Sequence, residues 1–509
     1  MKTINGLLLS ITLLLICACK HQRKDALVAN TLEPITVDTR LLSQKIDSFI
    51  LNKMATQHLP GVAFVLVQNC QTIYKKGFGI ADITTGKKVN VDSTIFRIGS
   101  VSKALTMFAL TKLIDQGRLT YETPVKDHFS KVQNPLDLTD AIQIKHLLTH
   151  TAGLDQIGIG RQILDFDISI EERKKKRPSL KAFLEAGNVR RIRPAGHYFT
   201  YDTYGSSLAG AIVEEVTGLP YAKAMEQLVF QPLGMQLSAV EVKKEYRQWL
   251  AGGHGYKEGT YFKTPYELYL TLPASSIDAT VSDMGRLLEA LTSNGSNSHG
   301  QLFSQTMMKK VASPQFRPHP EFVGMSHGLW EGNAFGTRPN AFRIRTLGHG
   351  GSMIGTSCNF NFTPELNLGM FIVANRNPES GGGRVAVWEI FNLIFEHLKI
   401  DKAAPFIVPK SKSGKRVSEY VGRYYHGVFC HTCSEAEFEK GALRRGSPIE
   451  VQEENGLLVI GGENYFMREM DLFVRSDGKE MLYFGRDEKG TVTFFVSSED
   501  ATAYERMSS

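Results

Sequence analysis

Strand-forming runs stand on both sides of a long helical middle, and no other feature of the chain constrains its fold as tightly. Residues 61–68 form a dense, valine-containing apolar run, and 72–77 and 79–83 follow it as consecutive antiparallel strands. Residues 343–351, 357–362 and 368–374 read as strands again. Between these groups, apolar residues recur at helical spacing over 101–114, 140–149, 208–216 and 283–292. Gly218 and Gly295 stop two of these helices. Residues 155–200 are polar and irregular. Helical patterns at 41–54 (Leu42, Ile46, Phe49, Ile50, Met54) and 385–398 lie outside the strands. One sheet built from both ends of this region, with a helical insert, satisfies that order. The expected class is α/β (α+β), an antiparallel sheet flanked by helices.

The chain has 509 residues, more than one hydrophobic core usually serves. Residues 403–415 hold Pro405, Pro409, Gly414 and three lysines, and read as a linker. Beyond it come short apolar runs at 457–460, 472–474, 481–484 and 492–496. Gly456, Asp477-Gly478 and Lys489-Gly490 punctuate them. Such spacing predicts a small antiparallel β domain at 416–509, after a main domain at 40–402.

The first residues are not part of either domain. A positive Met1-Lys2 end precedes an apolar run at 7–16, too short to span a membrane and suited to a signal peptide. The run ends in Leu15-Ile16-Cys17-Ala18-Cys19, which resembles a bacterial lipoprotein box with Cys19 as the lipidated residue. Cleavage before Cys17, or an ordinary secretory signal with two chance cysteines, is the alternative. The expectation is a signal peptide at 1–19, a polar tether at 20–39, and an exported lipoprotein anchored in the bacterial cell envelope. The net charge of +7 is mild for this length and calls for no nucleic-acid partner. Four cysteines remain: Cys70, Cys358, Cys430 and Cys433. Cys430-His431-Thr432-Cys433 has no second cysteine pair to complete a zinc site, so a short disulfide or idle thiols is expected, and no metal.

The chemistry gathers at a few short segments. Ser100-Val101-Ser102-Lys103 is an S-x-x-K at a helix start, where residues three apart share a face. A serine hydroxyl needs a base beside it, and a desolvated lysine supplies one. The helix N-terminus offers the Ser100 N–H to a developing oxyanion. Taken alone, S-x-x-K is a weak signal that arises often by chance, and the plain reading is Ser100 as an N-cap and Lys103 on a solvated helix face. Gly348-His349-Gly350-Gly351-Ser352 removes side chains where a substrate can lie along a strand, with Ser352 N–H as a second oxyanion donor. It is loosely like an element of α/β-hydrolases, but no G-x-S-x-G elbow accompanies it. Tyr201 follows a turn, and a phenol can pass a proton between nucleophile and leaving group. A basic stretch, Arg173-Lys174-Lys175-Lys176-Arg177 with Arg190, Arg191 and Arg193, reads as a solvated surface loop, or as a lip for an anionic substrate.

Several blocks together resemble one family. Residues 96–103 are similar to the nucleophile segment of serine β-lactamases and penicillin-binding proteins, in the class C-like branch that includes family VIII-type esterases and D-aminopeptidases. Leu147-Leu148-Thr149-His150-Thr151-Ala152-Gly153-Leu154, the segment 194–218 and Pro232-Leu233-Gly234-Met235 resemble further blocks in family order. Residues 417–509 resemble the β-barrel appendages that follow such domains. The resemblance implies Ser100 as acylated nucleophile and Lys103 as base or charge partner. It implies Tyr201 as proton shuttle and the N–H groups of Ser100 and Ser352 as oxyanion hole. His349 stands where the family has the lysine of K-T-G, and is expected to titrate near neutrality. Gly350, Gly351 and Thr203 would line the substrate. The implied reaction is acyl transfer through a serine acyl-enzyme, without cofactor, on small esters, D-amino-acid peptides or β-lactams. An acyltransferase and a slowly deacylating penicillin sensor are the alternatives.

One departure bears on substrate. Asp202-Thr203 follows Tyr201 where the family has Ser-Asn, whose amide holds the acylamide of penicillins and peptides. Thr203 is shorter and donates one hydrogen bond, which favours esters over amides.

Overall fold

A computed structural model describes residues 38–129, 142–155, 169–185, 190–332, 344–377, 388–402, 404–409, 417–435, 438, 444–498 and 500–507. The leader, with Cys19, lies outside them, as do most of the 403–415 linker positions. Among the described residues no helix is long and apolar enough to cross a membrane.

An eight-stranded antiparallel sheet forms the centre of the main domain, in the order 87–88, 71–82, 61–68, 368–374, 356–363, 347–353, 329–331 and 325–326. Strand Gly61–Gln68 pairs with Leu368–Ala374, Phe64 facing Ile372, so the two halves of the region meet at the sheet centre. Every residue of Gly61–Gln68 is buried, because both faces of the sheet are covered. Alternation divides its side chains. Phe64 and Leu66 join Leu42, Ile46 and Ile50 of helix Thr39–Thr56 and Ile390 and Ile394 of helix Trp388–His397. Ala63, Val65 and Val67 point the other way, into the core that holds Leu287 and Leu288 of helix Val281–Leu291 and Phe108 of helix Val101–Asp115.

Two local expectations change. Residues 71–82 form one strand rather than two, because Gly79 (φ +69°) pairs with Gly61 and carries the chain through without breaking the ladder. The polar stretch 155–200 contains helices Ile170–Lys176 and Leu180–Glu185, the first started by a capping box between Ser169 and Glu172.

Residues 422–506 close into an eight-stranded barrel. Its strands pair in chain order, and Gly422–His426 closes on Asp500–Arg506 through Tyr424 and Arg506. Closure leaves no free sheet edge. Strands Gly422–His426, Glu463–Glu469 and Asp500–Arg506 add to the apolar runs read from the sequence. The barrel axis is filled: Tyr420, Tyr424, Phe473, Phe484 and Phe495 pack with ring centroids 4.9–5.9 Å apart where they meet. Outside the barrel, Leu472, Val474, Met481, Phe494 and Val496 bury Phe322 of the main domain. The linker runs along the same surface, with Phe406 N–H donating to Gly478 O at 2.7 Å.

Candidate active site

The site begins where strand Ile95–Arg97 hands over to helix Val101–Asp115. The strand pairs with Ile277–Thr280, Phe96 opposite Ala279. Gly99 adopts φ +51°, a left-handed conformation that glycine takes without a Cβ penalty, and turns the chain into the helix. Ser100 sits half-buried at the helix start. That helix is buried nearly all round, so its first turn points into the protein and not into solvent.

Lys103, one turn later, is 1% exposed. Its Nζ donates to Ser100 Oγ at 3.2 Å and to Ala274 O at 3.1 Å. It also lies 4.9 Å from the Tyr201 ring centroid. The neighbouring Ser102 is a different kind of serine: fully buried, its hydroxyl accepts the Ile277 N–H at 3.0 Å. The i, i+3 spacing therefore selects Ser100 as the hydroxyl that faces the lysine.

Tyr201 lies among aromatic rings, 5.2 Å from His150, 6.0 Å from His349 and 6.1 Å from Trp330. Its hydroxyl is buried and makes no hydrogen bond. Strand Leu347–Met353 carries His349, Gly350, Gly351 and Ser352 past the nucleophile turn. A Cβ on Gly351 would stand 2.1 Å from Ile98 O, so only glycine allows this approach. The same crossing brings Ser352 N beside Gly99, 3.1 Å from where a Cβ there would stand. The Ser352 hydroxyl accepts from Asn377 Nδ2 at 2.7 Å and is exposed.

The structure thus brings Ser100, Lys103, Tyr201, His349 and the Gly350-Gly351-Ser352 strand together. It alters the expectation for His349. That imidazole is fully buried, and its Nδ1 lies 2.6 Å from Gly350 O. Burial, aided by the nearby Lys103 charge, pushes its pKa down to about 3. His349 is therefore neutral at physiological pH and is no substitute for the cation of K-T-G. Thr203 is buried at the start of helix Tyr204–Thr217, with its carbonyl accepting from Ser207 N at 3.2 Å.

Sequence reasoning gave no role to three participants. Ala274 O holds Lys103, and a backbone carbonyl leaves no mark in a sequence. Asp202 is buried beside His150, Oδ2 to Nδ1 3.4 Å, and also accepts the Gly205 N–H. His150 Nε2 is buried without a hydrogen bond, facing the same cluster as the Tyr201 hydroxyl. The motif around His150 was the available signal for this pair. The basic stretch is solvated only in part: Lys175 and Lys176 are exposed, but several of its arginines turn inward. Arg173 is buried and donates to Tyr266 O at 3.0 Å, Arg177 pairs with Glu241, and Arg193 is buried against Glu505.

Cys430 and Cys433 form a disulfide. Among the described residues no group of three or more His, Cys, Asp and Glu is placed to hold a metal ion.

A Beta-lactamase family model matches residues 46–393, more than half of the chain. The chain belongs to the beta-lactamase family. It is 29% identical over 233 residues to Esterase EstB of Burkholderia gladioli, covering 41% of this chain and 55% of the esterase. It is 26% identical over 248 residues to the teichoic acid D-alanine hydrolase of Staphylococcus aureus, covering 48% and 56%. A beta-lactamase of Providencia stuartii is 25% identical over 250 residues, covering 49% and 60%. The chain thus spans 55–60% of the length of these relatives. Among solved structures, SurE superposes with a TM-score of 0.62 at 19% identity, over 92% of this chain and 100% of SurE. A class C beta-lactamase superposes at 0.56 and 20% identity, over 70% and 97%. These two likenesses show the beta-lactamase fold, and the SurE match extends beyond the catalytic body.

Proposed function

We propose that this protein is an exported serine hydrolase that works through an acyl-enzyme on Ser100 and prefers ester substrates. The observation that carries this reading is the buried Lys103 Nζ 3.2 Å from Ser100 Oγ, with the Tyr201 ring against the same nitrogen. The amine form of Lys103 takes the Ser100 proton as Ser100 Oγ attacks the acyl carbon, and it returns that proton to Ser100 Oγ when water releases the acyl group. The Tyr201 hydroxyl delivers a proton to the departing oxygen and later takes one from the attacking water. The N–H groups of Ser100 and Ser352 receive the oxyanion. His349, neutral and buried, shapes the wall beside Tyr201 and carries no charge into the reaction.

The ester preference rests on Thr203, which stands where the family places an amide side chain, and on the esterase among the relatives. Export and lipid attachment at Cys19 rest on the leader sequence. A screen of short-chain aryl esters, a chromogenic cephalosporin and a D-Ala-D-Ala peptide tests the substrate reading. Ester turnover at a kcat/KM well above the other two supports it; efficient cephalosporin hydrolysis overturns it. Release of the protein from membranes by Cys19→Ala tests the anchor, and a wild type that never partitions with membranes contradicts it.

A further inference from the structure

We infer that the C-terminal barrel positions Tyr201 through a buried clamp between Arg193 and Glu505, so that both domains build the active site. The inference rests on the role given to Tyr201 above. Arg193 opens the segment 193–201 that delivers Tyr201, and Glu505 lies on the last barrel strand, Asp500–Arg506.

The two side chains are 6% and 8% exposed and form an ion pair. Arg193 also donates to Leu154 O and to Gly427 O, each at 3.1 Å, and its Nη2 lies 2.7 Å from His431 Nε2. One guanidinium thus ties the HTAGL motif of the main domain to the barrel. Glu505 accepts from the Tyr198 hydroxyl at 2.9 Å, and His431 Nε2 lies 3.0 Å from its other oxygen.

The backbone follows the same path. The Ala503 N–H donates to Phe199 O at 3.2 Å, and the Thr200 N–H donates to His150 O at 3.0 Å. The residues just before Tyr201 are therefore held by the barrel on one side and by the His150 motif on the other. Tyr198 adds an apolar contact, its ring 4.3 Å from Phe494 of the barrel.

Tyr201 needs such support. Its hydroxyl has no hydrogen bond to fix it, so its position is inherited from its backbone and its ring neighbours. A misplacement of about 1 Å at a reacting group costs on the order of 100-fold in rate. A buried ion pair contributes little net stability but holds one geometry when both partners are present. Arg193 and Glu505 are thus positioning residues, acting on the reaction only through Tyr201.

The test is a double-mutant cycle on the full chain, with an aryl ester as substrate and kcat expressed per site labelled by a fluorophosphonate. Glu505→Gln is expected to lower kcat about 10- to 100-fold with KM changed less than about twofold. Tyr201→Phe lowers kcat further, and adding Glu505→Gln to it produces no additional loss. Tyr198→Phe, which removes one hydrogen bond to Glu505 and leaves the ion pair, lowers kcat a few-fold and serves the same cycle where Glu505→Gln does not fold. An unchanged kcat in Glu505→Gln, a loss confined to KM, or losses that multiply with Tyr201→Phe would overturn the clamp. Full activity in Tyr201→Phe alone would instead remove the role of Tyr201, and the clamp with it.

Discussion

The active site and the barrel treat their buried tyrosines in opposite ways. In the barrel, the Tyr420 hydroxyl donates to Asp471 at 3.0 Å, Tyr424 to Tyr420 O at 2.8 Å and Tyr465 to Glu480 at 2.8 Å. In the catalytic body, the Tyr201 hydroxyl is buried with no hydrogen bond, as is His150 Nε2. Among the described residues, buried side-chain polar atoms left in this state occur in the catalytic body and none occurs in the barrel. A buried polar group without a partner costs about 1–3 kcal/mol. The barrel avoids that cost; the catalytic body bears it at several places, and the Tyr201 hydroxyl and His150 Nε2 are the two whose rings meet beside Lys103.

Removing the two kinds of hydroxyl separates the regions most sharply. Tyr201→Phe is expected to lower kcat by about 10²- to 10⁴-fold, the usual contribution of a general acid–base group. Its melting temperature should stay level or rise, because an unpartnered buried hydroxyl is removed. A lowered melting temperature with intact kcat would place Tyr201 with the barrel tyrosines.

Thr203→Asn probes substrate choice within the catalytic body. A recovered hydrogen bond is worth about 0.5–1.5 kcal/mol, so cephalosporin kcat/KM should rise by up to about tenfold while ester kcat/KM holds. Equal improvement of both substrates would show that Thr203 does not discriminate between them.

Tyr424→Phe is the barrel counterpart. It should cost about 0.5–1.5 kcal/mol of stability, read by denaturant unfolding, and leave ester kcat unchanged. A drop in kcat at full folding would erase the contrast between the regions.

The smallest effect is on pH dependence. Burial pushes His349 and His327 down to about 3, against an ordinary value near 6.5. Below pH 6.5 the unfolded chain takes up protons that these two folded imidazoles refuse, so stability falls as pH drops from about 6.5 toward 3. Asp278, pushed up to about 6 by burial, opposes this over part of the range, because the folded state keeps its proton longer. The melting temperature should therefore fall on acidification from pH 6.5 to 4.5, less steeply in His327→Gln, by up to about 1.4 kcal/mol per pH unit. The ester pH–rate profile should show no limb near pH 6.5 from His349, and one that disappears in His349→Asn would contradict its burial.

The S-x-x-K pair was legible in the sequence because both residues sit on one helix turn, where spacing alone dictates contact. The central sheet was legible because strands buried on both faces leave unbroken apolar runs such as 61–68. The barrel was legible only in part. Strand Glu463–Glu469 turns Glu463, Arg468 and Glu469 to solvent, and Asp500–Arg506 carries Asp500, Glu505 and Arg506, so charged residues dilute both patterns. The low pKa of His349 was not legible, since it depends on burial by strands and helices remote in the chain. Arg193 was misjudged as part of a basic surface because its partner, Glu505, lies 312 residues away. No periodicity reports a contact of that span.

The central claim is that Ser100 is the residue acylated. Incubating the protein with a fluorophosphonate and locating the adduct by peptide mass spectrometry tests it directly. The account predicts one adduct, on Ser100, and neither adduct nor ester turnover in Ser100→Ala. An adduct on Ser102 or Ser352, or turnover that survives in Ser100→Ala, would contradict it.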